Sequence, residues 1–153
     1  MRILIDTNVL CRLVEAGHSQ HDVADGAVMQ LLTAGHELCV VPQVIYEYWV
    51  VATRPRENNG LGMPASLVDS AIDRTLEVFT MLLDERGVFA NWRSLVRTYE
   101  VKGKAAHDAR LVAAMNRHGI TLLLTFNADD FARFEQLSVR TPATVLSDRG
   151  WRE

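Results

Sequence analysis

Asp6 is the first residue of this sequence whose type and position suggest chemistry. It ends the short apolar run of residues 3–5 and is followed by Thr7 and Asn8. If the run is a buried strand of a parallel sheet, the carboxylate emerges at the carboxyl end of that sheet, where such sheets form their pockets. Aspartate is also a preferred N-cap residue, so Asp6 can equally begin a following helix. Taken alone, it predicts a functional carboxylate and a helix cap equally well.

Glu47 lies in a helix-length segment whose residues at three- and four-residue spacing are mostly apolar: Gln43, Val44, Val50 and Val51. That spacing places its carboxylate on a largely apolar helix face. Leaving it ionised and unpaired there would cost several kcal/mol, so it must be protonated, paired with a base or bound to a cation. By itself, this position favours a structural salt bridge over a metal site.

Asp108 shares one predicted helix face with Ala105, Val112 and Met115, so its carboxylate also points inward. A lone inward aspartate is more often a buried hydrogen-bond acceptor than a ligand. Its neighbour His107 points about 100° away around the helix, and we predict a residue at the surface or at a pocket edge rather than a ligand.

The last polar segment, residues 125–130, directly follows the apolar run 120–124 and contains Asn127 and Asp130. Polar groups at strand ends meet at one edge of a parallel sheet. We therefore expect one acidic pocket lined by Asp6, Glu47, Asp108 and Asn127. Carboxylates packed this closely raise one another's pKa, and a divalent cation stabilises them. Oxygen ligands without a set of His and Cys favour Mg²⁺ or Mn²⁺ over Zn²⁺, and phosphodiester hydrolysis is the natural use of such a site.

The elements that position these residues follow from short apolar runs and the segments between them. Strands are predicted at residues 2–5, 38–41, 120–124 and 144–146. Helices are predicted at residues 20–34, 43–53, 65–86, 90–101 and 105–118. Strands that alternate with helices indicate right-handed crossovers and a parallel sheet covered on both faces, which is a three-layer α/β domain. The polar, Gly-rich stretch 56–64 predicts a mobile loop within one domain rather than a linker between domains.

Composition agrees with one compact domain over residues 1–153, since 48% of the residues are hydrophobic and 23% are charged. No apolar run approaches the roughly 18 residues that span a bilayer. Asp6 and Asn8 interrupt the apolar start of the chain, so we expect a cytoplasmic protein without a signal peptide or membrane span. Cys11 and Cys39 lack metal-ligand spacing and are expected to be reduced core residues.

The net charge of −3 argues against a protein that grips nucleic acid with a broad basic surface. Any contact with RNA must therefore be local. Residues 93–117 carry six basic and two acidic side chains. This segment could supply a phosphate-facing edge, and an ordinary solvated helix face is an equally good interpretation.

Four segments together resemble the PIN domain: residues 3–10, the helix that carries Glu47, residues 107–114, and residues 124–127 followed by Asp130-Phe131. Their order and spacing are similar to those of VapC-type toxins of bacterial toxin–antitoxin pairs. The resemblance implies a parallel sheet of about five strands flanked by helices. It also implies an endoribonuclease that hydrolyses RNA and depends on Mg²⁺ or Mn²⁺.

Residue by residue, the resemblance implies that Asp6, Glu47 and Asp108 bind the metal. It implies that Thr7 and Thr125 form hydrogen bonds around the site. Many family members carry aspartate where this chain has Asn127. That departure leaves two options, either that the Asn127 amide ligates through water or that Asp130 assists.

The resemblance further implies an antitoxin partner and a homodimer. The region around Tyr46, Tyr48 and Trp49 is a candidate docking surface, with core packing as the alternative. Two other functional classes stay open. One is a catalytically silent PIN fold that binds RNA or protein, and the other is a receiver-like phosphoacceptor domain. A receiver needs adjacent acids after its first strand and a lysine after a late one, whereas here Asp6 precedes a threonine and no lysine follows residues 120–124 directly.

Overall fold

The computed structural model describes residues 1–151, in which five strands form one parallel sheet. The strands are β1 (Arg2–Ile5), β2 (Glu37–Val40), β3 (Thr80–Met81), β4 (Leu122–Leu124) and β5 (Ser138–Arg140). Their order across the sheet is β3-β2-β1-β4-β5. Leu4 of the central strand lies opposite Cys39 on one side and Leu123 on the other. All three are fully buried, as expected for a parallel sheet covered on both faces.

Over the same residues, seven α-helices flank the sheet and complete the predicted three-layer α/β architecture. They are α1 (Thr7–Val14), α2 (His21–Thr33), α3 (Pro42–Thr53), α4 (Ala65–Val78), α5 (Val88–Thr98), α6 (Ala105–Arg117) and α7 (Pro142–Ser147). Helix α1 packs against α2 and α3, α2 packs against α7, and α5 packs against α6. None of these helices is long and apolar enough to cross a membrane.

The strand predicted at residues 144–146 is wrong, because these residues lie in α7 and β5 precedes them. Thr141 caps that helix by accepting a hydrogen bond from the backbone N–H of Thr144. The Thr144 hydroxyl in turn accepts from the backbone N–H of Thr141, and Pro142 occupies the first helical turn. This reciprocal cap with a helix-starting proline outweighs the β-propensity of the short run.

The helix predicted at residues 65–86 ends early, since α4 stops at Val78 and Thr80–Met81 form β3. Phe79 has extended backbone angles and a side chain that is only 5% exposed. Burial of this ring and the pairing of β3 with β2 redirect the chain at a point where the helical pattern could have continued. Helix α1 is not among the predicted helices, although the sequence allows Asp6 as an N-cap and Asp6 does begin α1.

The two cysteines match their prediction. Cys11 and Cys39 are free thiols and are buried in the hydrophobic core. Burial raises the pKa of each thiol to about 11, so both stay protonated at neutral pH. They act as small apolar core residues.

Candidate active site

Asp6 caps α1 and also faces a cavity. Its Oδ1 accepts a hydrogen bond of 2.7 Å from the backbone N–H of Thr7, and its Oδ2 accepts one of 2.8 Å from the hydroxyl of Thr125. The side chain is 9% exposed. Burial raises the pKa of the Asp6 carboxyl, these two hydrogen bonds oppose the rise, and the charges of Glu47 and Asp130 add to it. Asp6 is therefore the N-cap of α1, and its carboxylate also lies at the cavity.

Asn8 links the ends of β1 and β4, a role that the sequence analysis did not predict. Its Nδ2 donates to Thr125 Oγ1 at 3.0 Å and to Asp6 Oδ2 at 3.3 Å. Its Oδ1 accepts from the backbone N–H of Phe126 at 3.0 Å. The only signal in the sequence was its place two residues after Asp6, and an asparagine in a first helical turn has many other uses.

Glu47 is held by two neutral donors. Thr7 Oγ1 donates to its Oε2 at 3.1 Å, and Gln43 Nε2 donates to its Oε1 at 3.0 Å. Gln43 also donates to the carbonyl of His107 at 2.9 Å and accepts from Arg110 at 2.8 Å. Within residues 1–151 no ion pair includes Glu47. The structure therefore does not contain the salt bridge that this position favoured, and the bridging roles of Gln43 and Arg110 were missed.

Asp108 lies half-buried in the first turn of α6. Burial and, in decreasing order, the charges of Asp130, Asp6 and Glu47 together raise the pKa of its carboxyl to about 6. No described residue donates a hydrogen bond to it, so it is not the buried acceptor that a lone inward aspartate suggests. Its carboxylate is left facing the cavity.

One cavity of about 490 Å³ collects these groups. Its polar lining includes all four side chains predicted to converge, together with three neighbours: Asp6, Glu47, Asp108, Asn127, Thr7, Asn8 and Asp130. Thr125 contacts Asp6 instead of lining the cavity. His107 is exposed and lines a different cavity, in agreement with its predicted position at a pocket edge.

The oxygen atoms that line the cavity are ligands of the kind that a hard divalent cation binds. The donors are carboxylate, amide and hydroxyl oxygens, which Mg²⁺ and Mn²⁺ prefer. In the described part of the chain, no three His, Cys, Asp or Glu side chains lie close enough to share one ion directly. Mg²⁺ usually keeps several waters and takes only one or two carboxylates directly, so the arrangement fits an ion held partly through water. Burial, and then the charges of the neighbouring acids, raise the pKa of Asp6 and Asp108, and a bound cation would offset both effects.

The aromatic residues of α3 divide between core and surface. Tyr48 is 1% exposed and belongs to the core, which was the alternative to docking. Tyr46 is 64% exposed and Trp49 is 37% exposed. Tyr46 and the exposed Val50 also line the carboxylate cavity, so an apolar strip borders the acidic groups.

Comparison with known proteins decides the family, because residues 3–137 match the PIN domain. The chain belongs to the PIN domain family. This match confirms the predicted fold class and rules against a receiver-like domain. No curated protein matches the sequence significantly.

Solved structures of toxin–antitoxin complexes and of a VapC toxin share this fold. VapBC-1 from nontypeable Haemophilus influenzae has a TM-score of 0.69 at 14% identity, covering 94% of this chain and 99% of that one. A toxin–antitoxin complex from Klebsiella pneumoniae has a TM-score of 0.61 at 20% identity, with 92% and 97% covered. VapC20 from Mycobacterium tuberculosis, a toxin that cleaves the sarcin-ricin loop, has a TM-score of 0.61 at 26% identity, with 85% and 93% covered.

Proposed function

We propose that this PIN-domain protein is an endoribonuclease that hydrolyses RNA phosphodiester bonds with the help of Mg²⁺ or Mn²⁺. The observation that carries the proposal is the meeting of Asp6, Glu47 and Asp108 at one cavity, where burial and neighbouring charges raise the pKa of Asp108 to about 6. A site in which burial and neighbouring charges make a carboxylate costly to ionise is suited to binding a cation. The similarity to VapC20, which cleaves an RNA loop, supports RNA as the substrate.

In this proposal Asp6, Glu47 and Asp108 hold the cation, one or two of them directly and the rest through water. Asn127 and Asp130 contact it through water. A bound divalent cation would stabilise charge on the phosphate and lower the pKa of an attacking water. The exposed positions of Asn127 and Asp130 at the rim of the cavity suit an outer role. The amide at position 127 adds no negative charge, so Asp130 is the stronger candidate for attracting a cation.

The chain itself supplies preorganisation. Thr7 fixes one oxygen of Glu47, and Gln43 fixes the other. Thr125 and the N-cap geometry fix both oxygens of Asp6. Carboxylates held by packed neighbours need little rearrangement when substrate arrives, which lowers the entropic part of the barrier. Asp108 is the exception, since it has no hydrogen-bond donor in the described chain and can turn toward a ligand.

The proposal extends to a toxin with a protein antitoxin, acting as a homodimer. Its support is the fold shared with a toxin–antitoxin complex and the exposed strip formed by Tyr46, Trp49 and Val50 beside the cavity. An antitoxin segment that covers this strip would also block access to Asp6 and Glu47, because Tyr46 and Val50 line the same cavity. Inhibition would then follow from occupancy of the cavity entrance.

The catalytic part is tested by incubating the purified chain with labelled single-stranded RNA in Mg²⁺ or Mn²⁺. Cleavage is expected with either ion, its loss is expected in EDTA, and matched single-stranded DNA should be cut more slowly. Cleavage that continues in EDTA would contradict metal dependence. Absence of cleavage on every RNA tried, with binding retained, would favour the catalytically silent module.

The toxin part needs a separate experiment. Expression of the chain alone should arrest growth, and co-expression with the product of a neighbouring gene should restore growth and yield a stable complex. Light scattering on the free chain should give the mass of a homodimer. A harmless chain that co-purifies with no partner would contradict the toxin assignment while leaving the nuclease assignment in place.

A further inference from the structure

A second cavity has a volume of about 520 Å³ and is connected to the carboxylate cavity by hydrogen-bonded side chains. The two are linked by side chains, because Arg110 lines the second cavity and donates to Gln43, which in turn donates to Glu47. Helix α6 also contributes to both, with Asp108 on one and His107 on the other. A chain molecule seated in the second cavity would therefore be close to the acids.

Two stacked aromatic rings form one wall of this second cavity. The ring centroids of Phe89 and Trp92 are 6.0 Å apart, and the ring planes differ by 29°. The Trp92 indole N–H donates to the carbonyl of Ala106 at 2.8 Å, which holds its ring in place. Phe89 is 67% exposed although it is fully apolar. A fixed pair of rings with one open face is the kind of surface on which nucleobases stack.

The acids around these rings are already neutralised. Asp84 pairs with Arg110 at 3.3 Å, and Glu85 accepts from Arg117 at 2.8 Å. Arg86 also lines the cavity, is exposed, and has no ion-pair partner within residues 1–151. The charge left over at this wall is therefore positive, in a chain whose net charge is −3.

The positive charge continues along α5. Phe89, Arg93 and Arg97 follow one another at four-residue spacing, so they share one face of the helix. They also line one surface pocket together. Arg93 and Arg97 are exposed and form no ion pair among the described residues. We call Phe89, Arg93 and Arg97 the α5 track.

We propose that the α5 track is a subsite for single-stranded RNA, with Phe89 stacking on a base and Arg93 and Arg97 contacting backbone phosphates. The inference rests on the nuclease function proposed above and names where its substrate extends beyond the carboxylates. An open aromatic face flanked by unpaired guanidinium groups complements a planar base flanked by phosphates. A purely apolar peptide would leave these guanidinium groups without partners.

The stacking step is tested by binding measured in EDTA, so that cleavage does not interfere. The probe is a fluorescein-labelled single-stranded RNA of about ten nucleotides, followed by fluorescence anisotropy. Phe89→Ala and Phe89→Leu should each weaken binding about tenfold, and Phe89→Trp should restore it. Leu67→Ala, at a 54% exposed apolar residue of α4, should bind as the parent does. If Phe89→Leu binds as tightly as the parent, the contact is merely apolar and stacking is wrong.

The phosphate step is tested by the salt dependence of the same binding. Arg93→Gln combined with Arg97→Gln should reduce the slope of log affinity against log salt by about 1.4, since each single-strand phosphate contact contributes about 0.7. Arg74→Gln, at an exposed arginine of α4, should leave the slope unchanged. An unchanged slope in the double variant would overturn the phosphate contacts.

These results separate the inference from the function on which it rests. If the parent neither binds nor cleaves RNA, the proposed function fails and the subsite fails with it. If the parent cleaves RNA while the Phe89, Arg93 and Arg97 variants bind as the parent does, only the subsite is wrong.

Discussion

The hydroxyl of Thr125 donates a hydrogen bond of 2.8 Å to Asp6 Oδ2, joining two residues that lie 119 positions apart in the chain. Thr125 is completely buried. Thr125 Oγ1 also accepts hydrogen bonds from Asn8 Nδ2 at 3.0 Å and from the backbone N–H of Asn127 at 3.1 Å. One hydroxyl therefore holds the ends of the adjacent strands β1 and β4 in register around the carboxylate of Asp6.

Thr125→Val should lower both stability and activity, because it keeps the shape of the side chain and removes this hydroxyl. Asp6 would lose a donor and Asn8 an acceptor in a buried place, which costs about 1–3 kcal/mol of unfolding free energy. Urea unfolding measures the loss, and RNA cleavage should fall with it. Thr125→Ser keeps the hydroxyl and should recover most of both, and equal stability of the Val variant and the parent would contradict this role.

Asp6 should show its two roles separately in two substitutions. Asp6→Asn keeps a side chain that can cap α1, so stability should change little while cleavage falls by orders of magnitude. Asp6→Ala removes the cap as well and should cost about 1 kcal/mol more of unfolding free energy than the Asn variant. Chemical unfolding and a cleavage assay on both proteins measure the two effects. Full cleavage by Asp6→Asn would show that only the cap matters.

The contribution of Asp108 to the stability of the metal-free protein should fall as pH rises from about 4 to about 6. The pKa of Asp108 is about 6 in the folded chain and near 3.8 ordinarily, so over this window the folded state holds a proton that the unfolded state has lost. Raising the pH removes that proton at a cost to the folded state. In thermal melts in EDTA, the melting temperature of Asp108→Asn relative to that of the parent should increase with pH.

The raised pKa of Asp6 acts in the same direction, so Asp108→Asn should reduce the fall in stability without abolishing it. Asp129→Asn, at an exposed acid that does not line the cavity, should follow the parent at every pH. If the melting temperature of the parent instead increased relative to that of Asp108→Asn between pH 4 and 6, the raised pKa assigned to Asp108 would be wrong.

Asn127 and Asp130 can be ranked by single substitutions at the cavity rim. Asp130→Asn should raise the Mg²⁺ concentration needed for half-maximal cleavage more than Asn127→Ala does, because only Asp130 brings a negative charge. Asp129→Asn is the matched control, since it removes the same charge from the adjacent position outside the cavity. A larger effect of Asn127→Ala would assign the fourth position to the amide.

Much of the fold was predictable because it rests on local patterns. The central strands are uninterrupted apolar runs, and α2 and α6 each stop two residues before a glycine with positive φ, Gly35 and Gly119. The predictions for residues 144–146 and 79–81 are wrong because the structure of these segments depends on a helix cap and on strand pairing with β2, which local propensity does not contain. Short apolar segments are where tertiary pairing overrides local preference most readily.

The site was predictable to the extent that its acids sit at strand ends or on apolar helix faces. Asp6, Glu47 and Asp108 each had a local signature of this kind. Asn8 and Gln43 did not, because their roles consist of hydrogen bonds to residues 117 and 64 positions away. Polar residues that serve acids from another element leave no periodic trace in the sequence.

Cleavage of labelled RNA by Asp108→Asn, measured across Mg²⁺ and Mn²⁺ concentrations beside the parent and Asp129→Asn, tests the central claim most directly. Asp108→Asn should lose activity by orders of magnitude at every metal concentration, while Asp129→Asn stays active. In EDTA, Asp108→Asn should melt at the same temperature as the parent or higher, because a half-buried charge beside other acids has been removed. Unchanged cleavage by Asp108→Asn, or cleavage by the parent in EDTA, would contradict a metal-dependent nuclease built on these carboxylates.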